Sequence, residues 1–413
     1  MNLLLIGGGG REHALAWALA KSPRLGRLYA APGNAGIAQL AHCADLTPAD
    51  HGAVISFCRD KAIDLVVIGP EAPLVAGLAD DLLAANIPVF GPTMAAARLE
   101  GSKAFTKALC AEHDIPTAAF ARFDDAEAAR AHVDTVGAPI VIKADGLAAG
   151  KGVTVAATVQ EARAAIERLA GQGPLIVEEC LIGEEASLFV LCDGERLLPL
   201  AGAQDHKRLG DGDTGPNTGG MGAYSPAPAL TPTVIDQAMA KIVVPTVKAL
   251  ADKGTRYRGL LYAGLMLTAE GPKLLEYNCR FGDPETQAVL PRLRSDLAEL
   301  LHATALGQLG ERRLDWDPRA ALTVVMASHG YPGGYDTGHE ITGLDAAQAT
   351  GALVFHAGTH VADGRIVTAG GRVLAVTALG DTIAAARSAA YDAVGKINWH
   401  QAMFRKDIGC KAR

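Results

Sequence analysis

The sequence predicts a multidomain α/β and α+β protein whose first domain contains a doubly wound parallel β-sheet. Three observations predict this. At 413 residues the chain exceeds one ordinary domain. Over roughly the first 100 residues, short apolar strands alternate with helical stretches, as they do in sheets covered by helices on both faces. Past about residue 320, strands are followed by a single helix, which is typical of a small α+β unit.

The N-terminal strands are apolar runs that end in glycine or proline turns. We predict them at residues 2–6, 28–31, 64–68 and 88–92, with a helix after the first. Ligands on such sheets bind beyond the carboxyl ends of the strands. The segments that fall there are Gly7–Arg11, Pro32–Asn34 and Glu71.

The glycines of the first turn do not form a dinucleotide fingerprint. A third glycine would be required at Glu12 in one register and at His13 in the other. This disfavours a nicotinamide oxidoreductase. Backbone amides at a helix start still suit one phosphate group. We therefore predict that Gly9, Gly10 and Arg11 bind a monophosphate, and a bare glycine turn is the alternative.

Composition narrows the class of protein. With 45 acidic and 38 basic residues the formal charge is −7, and there is no long basic run, so nucleic acid is not the expected partner. The seven cysteines form no C-x-x-C pair, which argues against a zinc site or a disulfide framework. The first residues lack the basic region of a signal peptide, and no apolar stretch approaches the ~20 residues of a membrane span. We predict a cytoplasmic protein with no membrane partner.

A strand near residue 276 carries the clearest chemical signal. Because side chains alternate along a strand, Glu276, Asn278 and Arg280 point one way, while Tyr277 and Cys279 point into the other layer. A carboxylate beside an amide oxygen suits Mg²⁺ or Mn²⁺, which proteins hold by one or two such groups together with substrate phosphates. A plain polar turn after the strand is the alternative.

A loop of glycines and lysines predicts a nucleotide site. The apolar strand 138–143 ends in Lys143 and is followed by Gly146, Gly150, Lys151 and Gly152 before strand character resumes. Glycines let backbone amides approach phosphate closely. The spacing and the strand–loop–strand setting differ from a P-loop. A glycine-rich hairpin without a ligand is the alternative.

A second apolar strand, Pro174–Cys180, runs into an acidic segment that contains Gly183. Its backbone could bind an adenine and a following carboxylate could bind ribose hydroxyls, with a solvated acidic turn as the alternative. Around it we predict Ser102 as a helix N-cap, helices at 124–136, 159–169 and 234–253, and a strand at 260–267 paired with the Glu276 strand. Residues 213–222 are predicted to be a long loop without strand or helix, and strands are predicted at 322–327, 353–361 and 372–378 with a helix at 381–394.

Taken together, the motifs resemble the ATP-grasp ligases and, within them, the phosphoribosylamine–glycine ligase (glycinamide ribonucleotide synthetase) family. The resemblance rests on stretches spread over nearly the whole chain: Gly9–Leu15, Ala31–Gly36, Gly69–Leu74, Gly101–Phe105, Lys143–Gly152, Gln204–Arg208, Asp213–Gly222, Asn278–Glu285 and Arg405–Gly409. It implies a pre-grasp domain at 1–101, a two-part ATP-grasp domain at 102–320 with a mobile lid at about 118–188, and a C-terminal domain at 321–413.

The resemblance also implies a reaction and a set of site residues. ATP, glycine and 5-phosphoribosylamine would give glycinamide ribonucleotide, ADP and phosphate through a glycyl phosphate, in de novo purine biosynthesis. Arg280 and Lys143 would be catalytic, and Glu276 and Asn278 would hold Mg²⁺ or Mn²⁺. ATP would be bound by Lys103, Lys143, Gly146, Gly150, Lys151, Gly152, Glu178, Glu179, Leu181 and Glu185. The other substrates would be bound by Gly9, Gly10, Arg11, Asn34, Glu71, Asp205, Lys207 and Asp283.

The chain departs from the family pattern at a few positions. Gly8 stands where Asn or Ser is expected, Ser328-His329 and Cys410 replace more typical residues, and the lid segment 169–174 is short, which puts lid contacts to ATP in question. Two rival hypotheses are an ATP-grasp ligase for another acid and amine, and a nucleotide sensor without enzymatic activity. A monomer is expected, with a dimer as the alternative.

Overall fold

The computed structural model describes residues 1–147 and 152–412. The N-terminal domain is built on a five-stranded sheet in which every pairing is parallel. From edge to edge its strands are His42–Cys43, Arg27–Pro32, Asn2–Gly7, Leu65–Ile68 and Val89–Phe90. Leu3 and Leu5 face one apolar core, and Leu4 and Ile6 face another on the opposite side. The predicted doubly wound sheet is therefore confirmed.

Helices cover both faces of this sheet and lead into the next domain. They are Gly10–Leu19, His51–Asp60, Glu71–Val75, Leu78–Ala84, Met94–Gly101 and Lys103–Glu112, with a 3₁₀ turn at Ile37–Gln39. Ser102 caps the helix Lys103–Glu112 as predicted, because its hydroxyl accepts a hydrogen bond from the Phe105 amide at 3.1 Å.

The segment predicted to be the lid forms an antiparallel sheet backed by two helices. Its strands, in spatial order, are Phe120–Phe123, Leu175–Glu179, Ile140–Ala144 and Val153–Ala156. The helices Ala126–Val136 and Val159–Leu169 bury their apolar stripes against it. Lys143 pairs with Val153, so the predicted strand–loop–strand setting is confirmed.

A second antiparallel sheet carries the Glu276 strand. Its strands, in spatial order, are Leu197–Pro199, Glu184–Asp193, Arg258–Thr268 and Gly271–Asn278. The predicted pairing of the last two is confirmed, with a bulge after Gly264. Tyr277 and Cys279 are buried while Glu276 and Asn278 are partly open, as alternation predicts. Around this sheet lie the helices Pro232–Ala238, Val244–Asp252 and Leu297–Leu306 and the π-helical segment Met239–Val243. The short helix Glu285–Val289 and the 3₁₀ turn Leu290–Arg292 follow its last strand and pack against Ala320–Ala327 of the next sheet.

The third sheet joins the C-terminal domain to the middle of the chain. In spatial order its strands are Gln204–Asp205, Gly222–Ser225, Ala320–Ala327, Arg372–Gly380 and Leu353–His356. The helices Leu344–Gln348 and Ile383–Val394 and the hairpin Thr359–Ala362 with Arg365–Thr368 complete the domain.

Two predictions about this part of the chain are wrong. Residues 353–361 form parts of two strands, because the chain turns between them, where the Thr359 amide donates to the Ala357 carbonyl at 2.8 Å. Residues 213–222 are not free of strand structure, because Thr214–Asn217 pairs with Arg208–Gly210 across a turn in which Gly212 and Asp213 have positive φ.

The seven cysteines all lie in the described part of the chain and are free thiols. Four of them, Cys58, Cys110, Cys192 and Cys279, are buried, as expected for small apolar side chains. Among the residues that the structure describes, no helix is both long enough and apolar enough to cross a membrane.

Candidate active site

The open face of the strand Gly271–Asn278 forms the centre of the site. Burial alone would raise the pKa of Glu276, but the positive charges of Lys207, Lys143, Lys103 and Arg280 outweigh it and hold that pKa below its ordinary value. Glu276 is therefore a carboxylate at neutral pH. None of the hydrogen bonds among the described residues uses the side chain of Glu276 or Asn278.

These two side chains have the oxygen chemistry that a divalent cation requires. Within the described residues there is no group of three or more His, Cys, Asp and Glu side chains placed to hold a metal. The carboxylate of Glu276 and the amide oxygen of Asn278 form the kind of set that suits Mg²⁺ bound chiefly through phosphate oxygens. The residues present fit such an ion.

Lys143 reaches the same face from the lid sheet. Its Nζ lies 3.0 Å from both carboxylate oxygens of Glu178 and donates to the Leu275 carbonyl at 3.3 Å. Glu178 is also 3.0 Å from Lys107 Nζ, and the three side chains are buried. Glu178 is thus the shared counter-charge that holds two lysines in place, and its contact with ATP stays a prediction.

The start of the lysine–glycine loop is tied to the helix Lys103–Glu112. Lys103 Nζ donates to the Gly146 carbonyl at 2.8 Å, and Asp145 accepts from the Ser102 hydroxyl and the Ala104 amide at 3.1 Å. Burial lowers the pKa of Lys103. Gly152 accepts a hydrogen bond from the Ala144 amide at 2.9 Å. The predicted ligands Gly150 and Lys151 lie outside the described residues.

The predicted ATP ligands that follow the lid strand lie in two different environments. Glu179 is exposed and accepts from the Ala119 amide at 2.9 Å, and Leu181 is half-buried between the two sheets. Glu185 points the other way, where its carboxylate lies 2.7 Å from Lys207 Nζ. Glu185 therefore lies with the predicted substrate residues rather than with Glu179.

Arg280 is held by two acids of the N-terminal domain. Its guanidinium lies 2.8 Å from Glu100 and 3.2 Å from Glu71. Glu100 also accepts the Cys279 amide at 2.7 Å. Burial would raise the pKa of Glu71, but Arg280 and Arg11 lower it below its usual value. The structure thus brings Glu71 and Arg280 together, and it adds Glu100.

Carboxylate groups of the protein already contact the helix start at Gly9–Arg11. The Gly9 amide donates to Glu12 Oε2 at 2.7 Å, and the Arg11 guanidinium bonds Glu12 Oε1 at 2.5 Å and the Phe281 carbonyl at 3.1 Å. Asp283 also faces this end, where Arg372 and Arg11 overcome the effect of burial and lower its pKa. A phosphate at this helix start has to share it with Glu12 and Asp283.

Asn34 has its side-chain amide fully engaged by the backbone. It donates to the Gly8 carbonyl at 2.9 Å and to the His356 carbonyl at 2.8 Å, and it accepts from the amides of Gly36 and Ile37. Its contacts join the N-terminal and C-terminal domains. They define a role in shaping the site, and a ribose contact would have to displace one of them.

Asp205 and Lys207 lie in an acidic surrounding. Burial and the charges of Glu285, Glu185 and Glu276 raise the pKa of Asp205 despite the opposing charge of Lys207. The pKa of Lys207 is raised well above its ordinary value, because Glu185, Asp205 and Glu276 outweigh burial. The region therefore favours bound cations over bound anions.

His206, between them, is not a general base in this structure. Its Nε2 accepts a hydrogen bond from the Gly409 amide at 3.2 Å, so that nitrogen carries no proton. Burial, with the nearby Arg405, lowers the pKa of His206 to about 4, and the ring is neutral at physiological pH.

Several residues of this site carry no signal in the sequence. Glu285 is buried and accepts from the hydroxyls of Tyr262 at 2.6 Å and Ser187 at 3.2 Å. Lys107 and Glu100 hold Glu178 and Arg280, and Arg372 contacts Asp283 at 3.3 Å. Only the motif Asn278–Glu285 could have pointed to Glu285, and nothing local marks the others.

Three family models match the chain in order. The phosphoribosylglycinamide synthetase N domain matches residues 1–100, the ATP-grasp (A) domain residues 101–286, and the C domain residues 321–411. The chain belongs to the phosphoribosylglycinamide synthetase family. The predicted ATP-grasp architecture and the class of ATP-dependent ligase are thereby confirmed, while the finer domain bounds and the residue roles stay predictions.

Relatives of this family match along the full chain. Proteins named phosphoribosylamine–glycine ligase are 58% identical in Rhizobium meliloti, over 100% of this chain and 99% of the relative, and 57% identical in Mesorhizobium japonicum, over 100% and 98%. The crystal structure of the Thermotoga maritima phosphoribosylamine–glycine ligase is 33% identical, with a TM-score of 0.85 over 99% of this chain and 100% of that one.

More distant solved structures share the fold. The biotin carboxylase domain of the Hydrogenobacter thermophilus 2-oxoglutarate carboxylase, crystallised with MgADP and bicarbonate, has a TM-score of 0.71 at 14% identity, over 98% of this chain and 91% of that one. At that identity the similarity concerns the fold alone.

Proposed function

We propose that this chain joins glycine to 5-phosphoribosylamine, with ATP as the energy source, and forms glycinamide ribonucleotide, ADP and phosphate. Family membership supports the reaction. The observation that carries the placement of the site is that Lys143 Nζ donates to the Leu275 carbonyl, next to Glu276, while Lys103 holds the start of the lysine–glycine loop and Arg280 follows the same strand. Such a concentration of positive charge beside an ionised acid suits a polyphosphate with its cation.

The first step activates the acid. A carboxylate is a poor electrophile, so a carboxylate oxygen of glycine attacks the γ-phosphorus, the bond to the ADP oxygen breaks, and glycyl phosphate forms. This transfer needs positioning and charge neutralisation rather than a protein nucleophile. Lys143 and Lys103 hold the phosphates. Arg280, fixed by Glu100 and Glu71, faces the transferred group.

Glu276 and Asn278 hold a divalent cation, Mg²⁺ or Mn²⁺. When bound, the ion neutralises charge that develops on the phosphate oxygens. The protein contributes an ionised carboxylate and a neighbouring amide oxygen on one strand face.

Asp205 binds the ammonium group of glycine. Its surroundings contain Glu185, Glu276 and Glu285, whose combined charge favours a cation, and Lys207 is already paired with Glu185 at 2.7 Å. Holding the ammonium there directs the glycine carboxylate toward Arg280 and the phosphates. It also keeps the amine of glycine from acting as the nucleophile.

The second step forms the amide. The amine of phosphoribosylamine attacks the carbonyl carbon of glycyl phosphate, the bond from that carbon to the phosphate oxygen breaks, and the proton lost by the amine passes to the departing phosphate. We place this substrate at the carboxyl edge of the N-terminal sheet, near Gly9–Arg11, Glu71 and Asp283, with Asn34 shaping the edge. Lid closure keeps water from the acyl phosphate.

An omission assay tests this proposal. ADP release is measured with Mg²⁺, ATP, glycine and phosphoribosylamine generated in situ, and each component is then left out in turn. We expect turnover to require all of them. ATP binding without turnover would support a sensor, and turnover with another acid and amine would overturn the substrate assignment.

A further inference from the structure

The segment 206–221, named here the substrate loop, connects the strands Gln204–Asp205 and Gly222–Ser225 of the sheet that extends into the C-terminal domain. The strand Gln204–Asp205 pairs with Gly222–Ser225, which pairs with Ala320–Ala327, which in turn pairs with Arg372–Gly380. Asp205 and Lys207 lie at one end of this loop. Their placement therefore depends on strands from the last 100 residues of the chain.

Arg372 fastens the far end of the substrate loop to the turn that carries Asp283. Its Nη1 donates to the carbonyls of Gly219 at 2.5 Å, Gly220 at 3.3 Å and Asp283 at 2.9 Å, while Nη2 lies 3.3 Å from the Asp283 carboxylate. The two guanidinium nitrogens divide these contacts, Nη1 on the carbonyls and Nη2 on the carboxylate, and the single nitrogen of a lysine cannot occupy both positions.

The contact between the loop and this turn is close. Gly220 has φ +106°, and a Cβ there would overlap the Pro284 ring. A Cβ on Gly219 would lie 3.1 Å from the Arg372 guanidinium carbon. Tyr331 adds a second tie, because its hydroxyl accepts from the Gly219 amide at 3.0 Å. Both backbone groups of Gly219 are thus held by side chains of the C-terminal domain.

The middle of the loop, where the strands Arg208–Gly210 and Thr214–Asn217 meet at a turn, is held by a second arginine. Arg405 is 1% exposed; it donates to Asp213 at 2.9 Å and to the Arg208 carbonyl at 3.0 Å, and it pairs with Asp407 at 2.7 Å. Asp407 in turn accepts the Gly212 amide at 2.8 Å. The loop is consequently held in two places: Arg405 and Asp407 fix its middle, and Arg372 fixes its last residues against the turn that carries Asp283.

We propose that Arg372 and Tyr331 are positioning residues that hold the substrate loop against Asp283, so that phosphoribosylamine rather than water meets the acyl phosphate. The inference rests on the proposed placement of the amine substrate near Asp283. If the loop moves away from that turn, the amine loses its position and water gains access to the intermediate. Water then hydrolyses glycyl phosphate, so that ATP is consumed without formation of glycinamide ribonucleotide.

The test compares ADP and glycinamide ribonucleotide formed in the same reaction by Arg372→Lys, Tyr331→Phe and the unaltered chain. We expect one ADP per product in the unaltered chain and at least about twofold excess ADP in Arg372→Lys, with the KM for phosphoribosylamine raised about tenfold for the lost hydrogen bonds. The KM for ATP should stay within about twofold, because the ATP residues are untouched. Tyr331→Phe should change the ratio in the same direction by less.

Arg365→Lys is the matched control, since Arg365 is an exposed arginine of the same domain that pairs with Glu340 at 3.1 Å. It should leave both the ratio and the KM values unchanged. If Arg372→Lys does not fold, the ratio of ADP to glycinamide ribonucleotide measured with Tyr331→Phe decides the test. The inference would be overturned if Arg372→Lys lowered kcat but still formed one ADP per glycinamide ribonucleotide, with an unchanged KM for phosphoribosylamine. Failure of the unaltered chain to consume phosphoribosylamine would instead overturn the proposed function.

Discussion

The Arg280 guanidinium lies 2.8 Å from a carboxylate oxygen of Glu100, a residue 180 positions earlier in the chain. Glu100 also accepts the amide of Cys279, so one carboxylate fixes both the backbone and the side chain at the end of the Glu276 strand. Its side chain is 7% exposed. The N-terminal domain thereby sets the position of an arginine that belongs to the ATP-grasp domain.

Glu100→Gln should lower kcat and leave ATP binding nearly intact. The amide keeps the size of the side chain but loses the charge that orients Arg280, and Glu71 remains as a second partner at 3.2 Å. We expect kcat to fall about tenfold, as for one charged hydrogen bond, and the KM for ATP to change by less than about twofold. Steady-state kinetics measure both. Glu112→Gln, an exposed acid paired with Lys253, is the control; an unaltered kcat in Glu100→Gln would refute the positioning role.

Lys143→Met should weaken ATP binding and destabilise the fold, and a second substitution should separate the two effects. Glu178 is 2% exposed and would lose one of its two lysine partners. We expect a loss of about 1–3 kcal/mol in the free energy of unfolding, because a buried carboxylate is left partly unpaired. Lys143→Met with Glu178→Gln should recover much of this stability. It should not recover ATP affinity.

Urea denaturation and ATP titration measure the two quantities in the same preparations. If the double variant regained ATP affinity together with stability, Lys143 would be a structural residue and its phosphate role would be refuted. Lys253→Met, which removes an exposed lysine from its pair with Glu112, controls for the general effect of the substitution.

Glycine affinity should depend on pH through Asp205. Burial and the neighbouring acids raise its pKa, so the carboxyl is protonated at a pH where an ordinary aspartate is ionised. As pH falls through that raised pKa, the carboxylate that binds the glycine ammonium is lost and the KM for glycine rises. Asp205→Asn should give a high KM for glycine with little dependence on pH in this range.

Glu185→Gln sharpens this test, because it removes one of the charges that raise the pKa of Asp205. The rise of the glycine KM should then occur at lower pH than in the unaltered chain. KM for glycine is measured across pH at saturating ATP and amine. A pH dependence that survives unchanged in Asp205→Asn would show that another group binds the ammonium.

Glu276→Gln should reduce both the affinity for Mg²⁺ and the rate of phosphate transfer. The substitution replaces the ionised ligand by an amide on the same strand face. We expect kcat to fall at least about a hundredfold, as when charge stabilisation of a transition state is removed. Activity titrated with Mg²⁺ should need about tenfold more ion. Glu270→Gln, an exposed acid at the turn before this strand, is the control and should behave like the unaltered chain.

Local patterns in the sequence predicted the parts of the site that lie on one element. Strand alternation placed Glu276 and Asn278 on an open face with Tyr277 and Cys279 buried behind them. The cap at Ser102 and the parallel N-terminal sheet follow from equally local rules. Such features need no knowledge of the tertiary structure.

The supporting contacts could not be predicted because they join distant segments. Arg280 and Glu71 are 209 positions apart, and Arg372 and Gly219 are 153 apart. No periodicity links such pairs. For the same reason the sequence could not predict that Glu185 forms an ion pair with Lys207. Nor could it predict that the Asn34 side chain forms hydrogen bonds with backbone groups of two domains. The C-terminal domain, which had no catalytic motif in the sequence, supplies the side chains that hold the substrate loop.

The formation of glycyl phosphate is tested most directly by following a labelled oxygen from glycine into the released phosphate. Glycine carrying ¹⁸O in its carboxylate is converted with ATP and phosphoribosylamine, and the released phosphate is analysed by mass spectrometry. Transfer through glycyl phosphate predicts one ¹⁸O per phosphate. In Glu276→Gln the label should appear only at that variant's reduced rate of turnover. Phosphate without ¹⁸O would contradict the acyl phosphate route, and with it the roles assigned here to Lys143, Glu276 and Arg280.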